Sequence, residues 1–373
     1  MARLPVPIVP DPLPSYAPDP RPPHARSPAL DGFDNTPPTN PITDEGAFLG
    51  RVLFYDRLLS ANGEVACASC HRQDRAFTDP ARLSIGFEGE STRRHSMSLV
   101  NLRFYAPGRM FWDERAETLE DQVLEPIQDA VEMGVTLEEL VERVTRAPYY
   151  PRLFTAAFGS SGVTTERISL ALAQFVRSLS SFDSRWDEGV AQVQSLTDDF
   201  PNYSASENRG KALFLGQGRP DLGGSCAACH LRSVAPPAPG TPRNIDANQA
   251  YFFMSRPRNN GLSERADDDG FAEVTGDPAD DNAFKSSSLR NVAETAPYMH
   301  DGRFATLEDV LRFYDRGIEA QPNLDPILRT PGAGVLRFRF DPGERADMIA
   351  FLRTLSGRAL LVDPRFASPF PEL

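Results

Sequence analysis

The chain has 373 residues, of which 40% are hydrophobic and 24% charged, with a formal net charge of −13 and a pI near 5.0. That balance is the composition of a soluble globular protein, and no apolar run approaches the roughly 20 residues needed to span a bilayer. The acidity argues against a nucleic-acid surface, which needs Lys/Arg clusters to displace counterions. At roughly 150 residues per domain, the length suits two domains.

Thirteen of the 34 prolines fall in residues 1–41, and each removes an N–H and restricts its predecessor, so this stretch reads as an extended arm or surface-wrapped extension. The start from Met1 to Pro5 has no apolar run of the secretory type; an export signal is either absent or already removed. Beyond Pro41 the pattern turns helical, with Thr43 as cap and Phe48, Leu49, Val52 and Leu53 on one face. Strand signals are scarce, and the fold class read from the chain is all-α.

The same order of features then occurs twice. Gly50-Arg51-Val52-Leu53-Phe54 leads to Cys67-Ala68-Ser69-Cys70-His71, and Gly210-Lys211-Ala212-Leu213-Phe214 leads to Cys226-Ala227-Ala228-Cys229-His230. Each half closes with a similar stretch, Phe175 to Ser180 and Phe351 to Ser356. The expected organisation is a Pro-rich extension (1–41), two helical domains (42–190 and 191–357) and a C-terminal tail (358–373). Asp183 to Asn208 reads as the linker, and Leu231 to Asp281 as a long Pro/Asp/Gly-rich insertion.

All 4 cysteines lie in the two Cys-x-x-Cys-His motifs, the pattern for thioether attachment of haem c with the following histidine as proximal iron ligand. The competing readings are a zinc site made by all the cysteines together, a redox dithiol and two disulfides. A histidine after both pairs, and a helical unit around each, favour haem. A covalent haem also gives a small helical unit an apolar plate to pack on.

Around the first motif come Ser84-Ile85-Gly86, Arg94, Ser96, Asn101, Phe111-Trp112-Asp113-Glu114-Arg115-Ala116, Leu119, Gln122, Pro126 and Val131-Glu132-Met133-Gly134. The second unit has Phe284-Lys285, Leu289-Arg290-Asn291, Pro297-Tyr298-Met299-His300-Asp301-Gly302 and Ala305-Thr306-Leu307-Glu308. From about Asn40 to Gly357 the chain resembles the bacterial dihaem cytochrome c peroxidase and MauG family. The resemblance implies two cytochrome c-like domains, each around one haem c. The haem on Cys67, Cys70 and His71 is then the peroxide site, and the haem on Cys226, Cys229 and His230 the electron-transfer site.

On the same ground Trp112 matches the tryptophan between the haems, Glu132 the catalytic glutamate and Gln122 its companion. Read from the residues alone, Trp112 is equally a core aromatic beside Phe111, and Glu132 a solvated loop acid. Gln122 lies on the inward face of a short helix that Pro126 is expected to end. Cleaving a peroxide bond needs a group that accepts and returns a proton near an open iron, work suited to a carboxylate.

Two departures sharpen the expectation. Family members that need reductive activation carry a distal histidine just after Ser-Ile-Gly; here Phe87 stands in that place, and a phenyl ring cannot ligate iron. His95 lies eight residues on and is an alternative ligand, but it matches a family asparagine that binds calcium. Its presence puts the calcium ion in doubt, although Thr295 and Pro297, whose carbonyls complete that site, are kept. The second departure is Tyr314, which stands where ordinary peroxidases have the methionine ligand of the second haem. Leu307, Val310, Leu311 and Tyr314 share one helical stripe, which fits a core tyrosine as well as the tyrosine ligand of MauG-type members. Met299 competes for the same role, and His300 is a family-matched pocket residue.

The resulting expectation is a dihaem peroxidase-type oxidoreductase that reacts with hydrogen peroxide and oxidises a side chain of a partner protein. The alternatives are an ordinary peroxidase fed by a small cytochrome or cupredoxin, and a dihaem electron carrier. Thioether haem attachment places it in the periplasm.

Overall fold

The computed structural model describes residues 6–26, 31–217, 225–231, 252, 256–262, 268–332 and 334–371. In chain order the elements that build the site are α1 (Asp44–Tyr55), α2 (Cys67–Cys70), α3 (Leu119–Gln122) and α4 (Thr165–Ser178). They continue with α5 (Arg185–Gln192), α6 (Ala205–Phe214), α7 (Ala227–His230), α8 (Leu307–Arg312), α9 (Pro342–Arg353) and α10 (Ala359–Val362). The named strands among the described residues are Arg329–Thr330 and Gly334–Val335, paired antiparallel, so the all-α expectation stands.

Helix starts follow the local chemistry. The Thr43 side chain accepts from the Gly46 N–H at α1, and capping boxes start α5 at Ser184 and Asp187, α6 at Ser204 and Glu207, and α9 at Asp341 and Glu344.

Buried apolar side chains fall into two clusters, and the repeat seen in the chain is a repeat in packing. In the first cluster α1 crosses α4 where a Cβ on Gly50 would stand 1.9 Å from the Ala171 carbonyl oxygen and 2.8 Å from Phe175 Cβ. In the second, α6 crosses α9 where a Cβ on Gly210 would stand 1.9 Å from the Asp347 carbonyl oxygen and 2.8 Å from Phe351 Cβ. Phe54 meets Phe175 at 5.2 Å between ring centroids, and Phe214 meets Phe351 at 5.0 Å. Glycine is required because the two helix backbones touch.

The expected linker is not one. Asp183 to Asn208 contains α5, whose Trp186 is 1% exposed and packs on Phe200, Phe252 and Phe351 in the second cluster. The capping box and one large aromatic give that segment a helix with a face to bury. Both chain ends return to the first cluster, through Tyr16 and Ala25 from the extension and Leu360 and Phe366 from the tail. Arg51 holds the tail by its Nε and Nη2, which donate to the carbonyls of Ala367 and Pro364 at 2.6 and 2.8 Å. Much of the expected insertion after Leu231 lies outside the described residues.

Candidate functional site

The three-residue spacing puts Cys67 and Cys70 on one face of α2, and the His71 N–H donates to the Cys67 carbonyl at 2.9 Å. Ala76 and Phe77 take φ values of 50° and 57°, a backward turn that sets the Phe77 carbonyl 2.9 Å from His71 Nδ1. Nδ1–H donation to that carbonyl fixes the tautomer and leaves Nε2 as the free ligand atom, the usual second partner of a metal-bound histidine. In the second motif the His230 N–H donates to the Cys226 carbonyl at 3.0 Å, and the buried Nδ1 faces the Phe252 backbone without a well-formed hydrogen bond. Burial pushes the His71 imidazole down and that of His230 down to about 4, so both stay neutral, as iron ligation requires.

None of the four cysteines is in a disulfide. Burial pushes Cys67 and Cys226 up to about 12 and Cys70 and Cys229 up to about 11, the reverse of a reactive dithiol. Among the described residues, no group of three or more His, Cys, Asp or Glu side chains comes together to hold a bare metal ion. The zinc and redox readings lose their support. Paired sulfurs beside a neutral, oriented imidazole fit haem c.

Cys226, Cys229 and His230 line one cavity with Tyr314, Met299, Asn260, Leu307, Leu311, Phe338 and Met348. Tyr314 sits in a π-helical turn, Phe313–Gly317, that follows α8. Such a turn re-aims one side chain from the helix stripe. Burial raises the Tyr314 phenol, with the nearby Asn260 side chain opposing that shift; the Asn260 Nδ2 lies 3.8 Å from Met299 Sδ. Both candidate sixth ligands therefore share one cavity and one neighbour. Asn260 was not legible in the chain, since the run Pro257-Arg258-Asn259-Asn260 carries no periodic signal.

At the first motif, the loop with Ser84, Ile85 and Gly86 docks on residues 131–134. A Cβ on Gly86 would meet the Val131 carbonyl at 1.6 Å, and one on Gly134 would meet the Phe87 ring at 2.4 Å. The Phe87 N–H donates to the Glu132 carbonyl at 3.2 Å. Burial first, then Asp129, pushes the Glu132 carboxyl up to about 7, with Arg115 opposing. Glu132 is thus half-buried beside Cys67 and Cys70, whose thiols feel its charge. Gln122 is half-buried at the end of α3 and has no hydrogen bond to Glu132. Pro126 opens a further helical turn, Glu125–Gln128, instead of ending α3's run, because the first turn needs no N–H from it.

Between the two motifs the backbone shows a pseudo-twofold exchange. The Lys285 N–H donates to the Trp112 carbonyl at 2.7 Å, and the His95 N–H donates to the His300 carbonyl at 2.7 Å. Trp112 Nε1 donates to the His95 carbonyl at 2.7 Å, and its ring stands edge-on to His300, 6.5 Å away. Trp112 also lines the cavity of the second motif. His95 is 4% exposed, with Nδ1 3.2 Å from the Arg82 carbonyl and Nε2 3.2 Å from Thr78 Oγ1. Both nitrogens face protein oxygens, and the imidazole brings no oxygen to a cation. Thr295 and Pro297 line the cavity, yet this residue set does not fit calcium.

Beside Trp112 lies a buried polar group. Tyr105 Oη donates to Glu114 Oε1, Lys285 Nζ lies 3.5 Å from the Tyr105 ring centroid and donates to the Arg109 carbonyl at 2.6 Å, and Arg109 Nε donates to the Glu114 carbonyl at 2.8 Å. Burial lowers Lys285 to about 7 against the pull of Glu114, and burial raises Glu114. Lys285 and Glu114 stood in the sequence strings without a role, and Tyr105 was missed.

A family model described as di-haem cytochrome c peroxidase matches residues 44–195. The chain is 31% identical over 341 residues to methylamine utilization protein MauG of Methylophilus methylotrophus, covering 87% of each. It is 32% identical over 323 residues to cytochrome c551 peroxidase of Nitrosomonas europaea, covering 86% of this chain and 80% of that one. The solved structure of a MauG-like protein associated with microbial copper homeostasis is similar with a TM-score of 0.73 and 33% identity, over 96% of this chain and 98% of that one.

Proposed function

The chain belongs to the dihaem cytochrome c peroxidase and MauG family, whose members are oxidoreductases, and from that premise we propose a periplasmic enzyme that uses hydrogen peroxide to oxidise a side chain of a partner protein. Cys67, Cys70 and His71 would hold one haem c, and Cys226, Cys229 and His230 the other. When bound, the haems supply the iron that takes oxidising equivalents from peroxide and stores them.

The observation that carries this reading is Tyr314, buried in the cavity that Cys226, Cys229 and His230 line. An anionic oxygen ligand lowers an iron reduction potential and so favours storage of oxidising equivalents, whereas a thioether raises it. Phe87 supports the reading at the first haem, because the loop that holds a distal ligand in other members here presents a phenyl ring. Glu132, half-buried beside that haem, takes and returns the peroxide proton; Gln122 orients the bound peroxide. Trp112, between the motifs, carries electrons from one to the other. No step is assigned to calcium. The copper-homeostasis association of the similar structure directs the search for the partner to copper-handling proteins.

Met299 in the same cavity favours a second reading, an ordinary peroxidase that turns over a small cytochrome or cupredoxin. Peroxide added to the resting diferric protein separates the two. The first reading predicts a rapid absorbance change at both haems without prior reduction. Reaction only after one-electron reduction supports the second, and no reaction in either state leaves an electron carrier.

A further inference from the structure

The two units carry corresponding loops, and the differences between them single out one cluster. Asn101, with φ 61°, opens the loop through Leu102–Phe104 and Tyr105 in the first unit; Asn291, with φ 58°, opens the loop through Val292–Glu294 and Thr295 in the second. Met110 pairs with Ala116 across one tight turn, as Tyr298 pairs with Phe304 across the other. Phe111-Trp112-Asp113-Glu114-Arg115 therefore corresponds to Met299-His300-Asp301-Gly302-Arg303, Tyr105 corresponds to Thr295, and Lys285 corresponds to His95.

Glu114 stands where the second unit has a glycine. Its φ is 55° and that of Gly302 is 63°, a conformation that costs a glutamate about 1 kcal/mol or more. Glu114 is nonetheless 3% exposed and Tyr105 1% exposed, and the two are hydrogen-bonded under Lys285. A strained acid, a buried phenol and a buried ammonium have been brought together beside Trp112, next to the segment whose Lys285 N–H holds the Trp112 carbonyl.

We propose that Tyr105 is a redox residue of this chain, oxidised by one electron through Trp112, with Glu114 as its proton acceptor and Lys285 as a positioning residue. A phenol loses an electron readily only if its proton leaves with it, and Glu114 Oε1 is the atom that receives it. In the step, Tyr105 gives one electron to a haem that peroxide has oxidised, and the Oη–H bond breaks. The proton passes to Glu114, leaving a neutral phenoxyl radical and a glutamic acid. Peroxide takes two electrons and two protons in all and leaves as two waters, so one electron from Tyr105 accounts for half of its oxidising capacity. Lys285 keeps negative charge on Glu114 and so keeps the acceptor ready. Tyr149 and Tyr150 also donate to a carboxylate, Asp56 Oδ2, both at 2.6 Å, but have no such link to Trp112.

The inference rests on the peroxide reading, and its test separates the two. The diferric holoprotein, labelled with ring-deuterated tyrosine, is mixed with one equivalent of hydrogen peroxide, freeze-quenched and examined by electron paramagnetic resonance, with haem absorbance followed in parallel. The expected result is a radical whose hyperfine pattern narrows with the label, absent in Tyr105→Phe, retained in Tyr150→Phe and at least tenfold weaker in Glu114→Gly. Glu114→Gly adopts the backbone that Gly302 already uses, and Glu114→Gln is the second variant should it fold poorly. A haem response with no tyrosine radical, or a radical that survives Tyr105→Phe, overturns the inference and leaves the peroxide reading intact. No haem response overturns both.

Discussion

Glu132 has two measurable signatures of opposite sign. Its carboxyl is raised from the ordinary 4.5 to about 7 by burial, so the folded chain holds more protons there than the unfolded one between those values. Below about pH 4.5 both states are protonated and the site costs nothing. As pH rises toward 7 the cost of charging a buried acid grows by about 1.4 kcal/mol per unit and levels off near roughly 3 kcal/mol above it. Glu132→Gln removes that penalty. Thermal unfolding of the holoprotein should show the variant more stable than wild type by a few kcal/mol at pH 8 and indistinguishable from it at pH 4.5. With the Glu132 carboxylate as the proposed proton acceptor, the peroxide reaction moves the other way: stopped-flow rates should fall about tenfold per pH unit below 7 in wild type. In the variant they should be about 10²- to 10⁴-fold slower and flat in pH. A wild-type rate that is level through pH 7, or a variant with no stability gain at pH 8, refutes the assignment.

Phe87→His should place a ligand over the first haem, so that peroxide acts only after one-electron reduction; an unchanged diferric reaction would show that the Phe87 loop does not cover that iron. Gly50→Ala and Gly210→Ala each push a methyl to 1.9 Å from a carbonyl, against 3.4 Å for ordinary contact. Each should destabilise by about 3 kcal/mol, while Gly32→Ala, with nothing within 4 Å, should change stability by less than about 0.5 kcal/mol by thermal melting. Arg290 holds the buried Asp187 carboxylate at 2.7 and 2.8 Å and keeps it well below the usual carboxylate range. Arg290→Met should cost about 3–5 kcal/mol at neutral pH and progressively less in acid as Asp187 protonates, and a loss independent of pH would contradict that pairing.

The parts that the chain made legible are those written in short-range patterns. Thr43 before Phe48 and Leu49 marks α1, and the twice-repeated glycine, Cys-x-x-Cys-His and closing stretch mark both crossings, because helix caps and close helix contacts each need a particular residue at a fixed spacing. The linker expectation failed on signals that were present: Ser184 and Asp187 at capping-box spacing around a large aromatic, Trp186. The return of Leu360 and Phe366 to the first cluster, the π-helical turn at Tyr314 and the placement of Asn260 depend on tertiary packing between distant segments, which periodicity does not record. Lys285, Glu114 and Tyr105 are likewise joined only across loops, and the glycine that answers to Glu114 becomes visible once the two turns are superposed by their backbone pairing.

The claim on which the functional proposal turns is that the Tyr314 oxygen caps the second haem. Low-temperature electron paramagnetic resonance and absorbance spectra of the resting diferric holoprotein, with the reduction potential of the second haem, test it in Tyr314→Phe and Met299→Leu. The account predicts that Tyr314→Phe alters the ligand-field signature of one haem and raises its potential, while Met299→Leu leaves both as in wild type. Spectra that change in Met299→Leu and not in Tyr314→Phe would contradict it.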